Sequence, residues 1–202
     1  MEHGPIGPRA AVYAKVARRL WGMRKIVVYE LLSLDGVAEA PDTFFDEWDE
    51  AMDANLAAVI SKQDAVILGR RSYGEWADFW PKSQIQPFAD FINAVTKYVA
   101  TSEPLDRDWA NATMVHGDLA GFVRELREQR GGDIGVHASL SVAQSLLAAG
   151  LVDELRLVIA PRIVGTGRRL LDGLPSIKLE PIRSQVSPTG YLLADYRVIT
   201  PP

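Results

Sequence analysis

The 202-residue chain is 48% apolar, enough to fill the core of one α/β domain, and carries 22 basic and 26 acidic residues for a formal net charge of −4. The basic residues are dispersed, which argues against a nucleic-acid partner. The absence of cysteine removes thiol nucleophiles, thiolate metal sites and disulfides together, and His3, His116 and His137 lie too far apart to form a metal-binding pair.

The first 22 residues, "MEHGPIGPRAAVYAKVARRLWG", are Gly- and Pro-bearing and then basic, without the continuous apolar core of a secretory signal. They read as an extension, with the globular domain over residues 23–202. "KIVVYELLSLDG" is an apolar strand that ends in the turn-prone Asp35-Gly36. "FFDEWDEAMDANLAAVISK" predicts a helix over residues 46–62, with Trp48, Met52, Leu56 and Val59 or Ile60 on one face. "DAVILG" is a short buried strand closed by Gly69; Pro87 suits the first turn of a helix over "PFADFINAVTK"; "KYVATS" and "ATMVHG" are further strands. Asp118 is placed to cap a helix bearing Leu119, Phe122, Val123 and Leu126.

"GDIGVHASLSVAQSLLAAG" runs a strand into an apolar helix that Gly150 stops. "DELRLVIA" turns Leu155, Leu157 and Ile159 inward, and "IKLEPIRSQV" and "YLLADYRVI" are strands joined by a turn at Gly190. Strands alternating with helices predict a single α/β domain with a mostly parallel sheet, finished by an antiparallel hairpin. No apolar run reaches the roughly 18–20 residues that span a bilayer, so a soluble, cytoplasmic protein without a membrane partner is expected.

Ligands of open α/β sheets gather beyond the carboxyl ends of strands. Gly69, Arg70, Arg71 and Ser72 open one such end, where paired arginines can grip a phosphate; a solvated helix start is the plainer alternative. Thr101 and Ser102 place two hydroxyls at another, or simply cap a turn. His137, Ala138 and Ser139 form a third, with Ser139 placed to cap the following helix and leave amides directed at an anion. Gly165, Thr166 and Gly167 with Arg168 and Arg169 are a fourth, or a mobile glycine loop. Together these suit an extended, phosphate-rich ligand such as a dinucleotide, although no G-x-G-x-x-G follows the first strand.

"ELLSLDGVAEAP", "AVILGRRSYGEW", "KYVATSEPL", "GGDIGVHASLSVAQSLLAAGLVDELRLVIAPRIVGTGRRLL" and the closing hairpin resemble, in order and spacing, the dihydrofolate-reductase-like superfamily over residues 24 to 200. They are most similar to the branch containing the reductase half of the bifunctional riboflavin-biosynthesis deaminase–reductase. The resemblance implies a three-layer fold with a central sheet of about eight strands, NADPH across its carboxyl edge, and reduction of a small heterocyclic or imine-containing substrate, such as a ribosylaminopyrimidine or a pterin. It assigns Gly69, Arg70, Arg71 and Ser72 to the cofactor phosphates, Thr101 and Ser102 to the adenosine 2′-phosphate, and His137, Ala138 and Ser139 to the pyrophosphate turn. Many relatives have glycine at Ala138; a methyl group there is compatible with negative φ.

Reduction of a C=N bond calls for a nearby acid. Counted back from Gly69, Asp53 falls where folate reductases keep a substrate-binding carboxylate; Asp49 and Asp46 are alternatives, and a solvated helix edge is a further one. Asp35 falls in the loop that covers the nicotinamide in relatives, or is a turn residue. Trp48, Trp76, Phe79 and Trp80 could wall a pocket, or belong to the core or a dimer contact, and Trp109 falls in a loop. No H-x-E with P-C-x-x-C occurs in these residues, so a deaminase half is not expected. A homodimer is expected, and a non-catalytic nucleotide-binding module on the same fold is the alternative function.

Overall fold

The computed structural model describes residues 23–199; the N-terminal extension expected over residues 1–22 lies outside the described residues. Eight strands form one sheet in the order β4-β3-β2-β5-β1-β6-β8-β7. They are β1 (Ile26–Ser33), β2 (Gln63–Gly69), β3 (Thr96–Ala100), β4 (Ala112–Val115), β5 (Asp133–His137), β6 (Glu154–Ala160), β7 (Lys178–Val186) and β8 (Leu192–Ile199). The first six run parallel, while β8 is antiparallel to both β6 and β7. The expected α/β architecture with an antiparallel finish is the one observed.

Among the described residues five α-helices cover the two faces: α1 (Glu50–Ile60), α2 (Arg70–Phe79), α3 (Phe88–Ala94), α4 (Leu119–Arg127) and α5 (Leu140–Ala148). Alternation along each strand divides the core. Ile26, Val28 and Ile67 pack with Val123, Leu126, Ala143 and Leu146 of α4 and α5. Val27, Tyr29, Val66 and Leu68 pack with Met52, Leu56, Tyr73 and Ile92 of α1, α2 and α3.

Several local expectations are corrected. The helix expected from residue 46 begins at Glu50, because the Asp49 carboxylate accepts the Met52 amide at 3.0 Å and sets the cap there. Trp48 is thereby left outside the helix and half exposed. The helix expected through Lys97 ends at Ala94, and Pro87 precedes its first turn. Lys97 instead sits fully buried in β3, donating to the carbonyls of Ile92 and Val95 at 2.8 Å each; it thus closes the carboxyl end of α3. Trp109 lies in a loop as expected, yet its side chain is buried: its Nε1 donates to Asn93 and its ring lies 4.6 Å from the Lys97 ammonium. In β6, Leu155 and Leu157 are buried as expected, yet Val158 and Ala160 are buried on the opposite face, since helices cover both sides of a parallel sheet.

The caps at Asp118 and Gly150 form as read. Asp118 accepts the Gly121 amide, and Gly150 at φ +64 lets its own amide reach Leu147 and that of Leu151 reach Leu146.

Candidate active site

The carboxyl ends of β2, β5 and β1 lie side by side, with Ile67 opposite Val136 and His137 opposite Tyr29. Above them opens a cleft of about 1160 Å³. Helix α2 borders it along its length. Arg70, Arg71 and Ser72 at its amino end line the cleft, as do Trp76 and Phe79 near its carboxyl end. At 1.5 Å rise per residue those two ends are about 10–15 Å apart, so the cleft has a basic end and an aromatic end. Tyr29, Glu30, Leu31 and His137 supply lining residues from the strands.

The basic end is built by interlocked turns. Ser139 occupies the cap position of α5, but its hydroxyl does not cap the helix; Oγ accepts the Gly69 amide at 3.0 Å and ties the end of β2 to the β5–α5 turn. The expected Ser139 cap of α5 is therefore not made, and the amino end of the helix has no side-chain cap. Ser72 Oγ donates to the Ala138 carbonyl at 2.7 Å. Ala138 has φ +48, in the left-handed region, which contradicts the condition of negative φ under which its methyl group would be unstrained. His137 turns its ring into the opposite face, among Tyr29 and Phe88, with Nε2 2.8 Å from Gln63 Oε1. Burial lowers its pKa to about 3, so it is neutral.

Arg70 lines the cleft but is paired with Glu103 at 3.0 Å and Asp106 at 3.6 Å. Arg71 is largely exposed and pairs with Glu75 at 2.9 Å. Thr101 and Ser102 stand at the end of β3 outside the cleft lining; Thr101 Oγ1 bonds the backbone of Glu103, within the same segment that meets Arg70.

The candidate acids separate. Asp53 lines the cleft, its Oδ1 accepting Trp48 Nε1 at 2.7 Å. Asp49 is committed to the α1 cap and to Thr189, whose hydroxyl donates at 2.6 Å. Asp46 is exposed and paired with Arg162. Asp35 accepts the amides of Val164 and Gly165 at 3.0 and 2.9 Å and the Ser33 hydroxyl at 2.7 Å. The Val164 amide, then the Ser33 hydroxyl, hold its carboxyl well below the usual range. Asp35 and Asp49 are not among the cleft residues.

The glycine loop read as mobile is thus clamped. It carries Arg168 to the first turn of α5, where its guanidinium donates to Ser141 Oγ at 2.9 Å. Trp48, Trp76, Phe79 and Trp80, weighed as core or dimer contacts, all line the cleft.

Sequence reasoning missed Glu30. It is buried in β1 and lines the cleft, its carboxyl accepting the Ser139 amide while Oε1 has no partner. Burial raises its pKa to about 8, which keeps it protonated at neutral pH. The only signal was an acid within an otherwise apolar strand. Among the described residues no cluster of His, Asp or Glu is arranged to hold a metal ion, and no helix is long and apolar enough to cross a membrane.

The profile of the RibD C-terminal domain family matches residues 24–193. The chain belongs to that family. It is 25% identical over 181 residues to YyaP of Bacillus subtilis, a protein described as uncharacterized; the match covers 86% of this chain and 94% of that one. Among solved structures, a pyrimidine reductase-like protein from Corynebacterium diphtheriae superposes with a TM-score of 0.66 at 15% identity, covering 91% of this chain and 95% of that one. Dihydrofolate reductase from Enterococcus faecalis, solved with NADP(H), superposes with a TM-score of 0.57 at 14% identity, covering 86% and 94%. This RibD-like domain thus has the dihydrofolate-reductase-like fold, as the sequence resemblance implied.

Proposed function

We propose that the chain is an NADPH-dependent reductase of a small heterocyclic or imine-containing substrate. The observation that carries this reading is the one continuous cleft that joins an arginine- and amide-lined turn to an aromatic wall across the carboxyl ends of β2, β5 and β1. The residues fit a dinucleotide. The start of α5 has no side-chain cap, Arg168 stands over it, and Arg70 stands at the end of β2. When bound, the nicotinamide cofactor supplies a hydride.

The chain's own residues do the rest. Arg70, Arg168 and the amides of the first turn of α5 hold phosphate oxygens. Protonated Glu30 adds no negative charge beside that turn. The aromatic wall excludes water from the reacting end, and Asp53 is the side chain proposed to orient the substrate and deliver the proton. Asp53 is preferred to Asp35 and Asp49 because its carboxylate is at the cleft while theirs are committed to a loop and a helix cap.

Isothermal titration with NADPH and with NADH tests the cofactor assignment. NADPH binding in the micromolar range, weaker for NADH, is expected; no heat with either at millimolar concentration overturns it. The non-catalytic alternative draws on the strained turn at Ala138. Stoichiometric cofactor binding without oxidation across a panel of pterins and pyrimidines would favour it. We also propose a homodimer, supported by exposed Ile182 and Val186 on the edge strand β7. Sedimentation as a monomer at micromolar concentration would contradict that.

A further inference from the structure

We propose that the cleft takes a flat aromatic substrate that is uncharged or cationic and bears no phosphate. This rests on the reductase reading and narrows its substrate class. The argument is the division of charge along the cleft. Among the described residues its only lining cations are Arg70, Arg71 and Arg168. The first two open α2, and the third is bonded to Ser141 in the first turn of α5, so all three belong to the basic end.

Among the described residues, the aromatic end has no Lys or Arg in its lining. Phe45, Trp48, Trp76, Trp80 and Phe88 form its wall, with Trp80 and Phe88 rings 4.8 Å apart and Trp76 and Phe88 rings 5.5 Å apart. Such faces and edges accept a planar ring by stacking. The charge set into this wall is negative: Asp53, fixed by Trp48 Nε1 at 2.7 Å.

Asp53 as acceptor suits a ring that presents an N–H. A phosphate monoester in the same place would bring close to two negative charges beside Asp53 with no cation among the described lining residues to meet them. The cleft therefore discriminates against phosphorylated substrates by an unpaired charge as well as by fit.

A matched pair of probes tests this: 6-hydroxymethylpterin and its phosphate monoester, titrated by tryptophan fluorescence into the full chain with and without saturating NADPH. The unphosphorylated pterin is expected to bind at least tenfold more tightly than the ester. Asp53→Asn should shrink that gap several-fold while leaving the fold, followed by circular dichroism, intact. Equal or tighter binding of the ester overturns the proposal, and so does binding of neither probe to a protein that binds NADPH. Discrimination between the probes by a protein that fails to bind NADPH upholds the substrate class and defeats the cofactor assignment.

Discussion

Ser72 Oγ donates a 2.7 Å hydrogen bond to the carbonyl of Ala138, a residue held at φ +48. The bond joins the first turn of α2 to the turn between β5 and α5 and fixes the latter in a conformation that alanine adopts at a cost of about 1–2 kcal/mol. Ala138→Gly removes that strain and lets a phosphate approach the backbone more closely. The variant is expected to gain up to about 1 kcal/mol in chemical denaturation, with cofactor affinity raised several-fold. Ser72→Ala is expected to lose about 1 kcal/mol and to weaken the cofactor. A glycine variant with lower cofactor affinity would show that the methyl group contributes to the site.

Arg70 is engaged by Glu103 and Asp106. On the proposed NADPH reading, a 2′-phosphate at this position would compete with those carboxylates. Arg70→Ala is expected to weaken NADPH by roughly ten- to a hundredfold, about 1.5–3 kcal/mol, and to leave NADH almost unchanged. Arg71→Ala should do much less. Glu103→Gln should tighten NADPH several-fold by freeing the guanidinium. Equal loss of both cofactors in Arg70→Ala would move Arg70 to the pyrophosphate or to a structural role.

Asp35 and Asp53 are expected to fail in different ways. Asp35→Ala frees the amides of Val164 and Gly165 and should lower the denaturation midpoint, with weaker cofactor binding as Arg168 loses its support. Asp53→Asn keeps the hydrogen bond from Trp48 and should change stability by less than about 0.5 kcal/mol. Its turnover should drop about a hundredfold or more with KM affected less, if the proton passes through this carboxyl. Loss of turnover in Asp35→Ala with unchanged stability would reverse the assignment.

Glu30 gives a pH dependence of definite sign. Its pKa is raised from 4.5 to about 8 by burial, so between these values the folded state holds a proton that the unfolded state has lost. Its contribution is fully present below pH 4.5 and is lost as pH rises through about 8. Glu30→Gln should remove that loss: its stability relative to the native chain should improve by a few kcal/mol as pH rises across this window. His137 acts on the acid side, where burial lowers its pKa from 6.5 to about 3 and stability falls as pH drops through that interval. Urea denaturation across pH separates the two, and a Glu30→Gln difference that does not vary with pH would show that the acid is ionised in the fold.

The strand–helix alternation was legible because parallel strands read as apolar runs and helices as periodic stripes, with caps such as Asp118 and Gly150 marking their ends. What escaped depended on contacts distant in sequence. Asp49 starts α1 four residues later than periodicity suggests while also holding Thr189, and Lys97 looks like a surface residue until the end of α3 closes over it. Local spacing singled out Gly69, Arg70, Ser72 and Ser139, all of which line the cleft. It could not reveal that Ser139 serves Gly69 rather than its own helix. Glu30 left no periodic trace, and its place beneath the turn comes only from the pairing of β1 with β5.

The most direct test of the central claim is sensitised emission. Trp76 and Trp80 line the same cleft that is proposed to hold the nicotinamide, so exciting tryptophan while adding NADPH reads occupation of that cleft itself. The account predicts saturable nicotinamide emission at micromolar cofactor, reduced at the same concentrations in Arg70→Ala and in Arg168→Ala. No sensitised emission at millimolar NADPH from a correctly folded chain would contradict it.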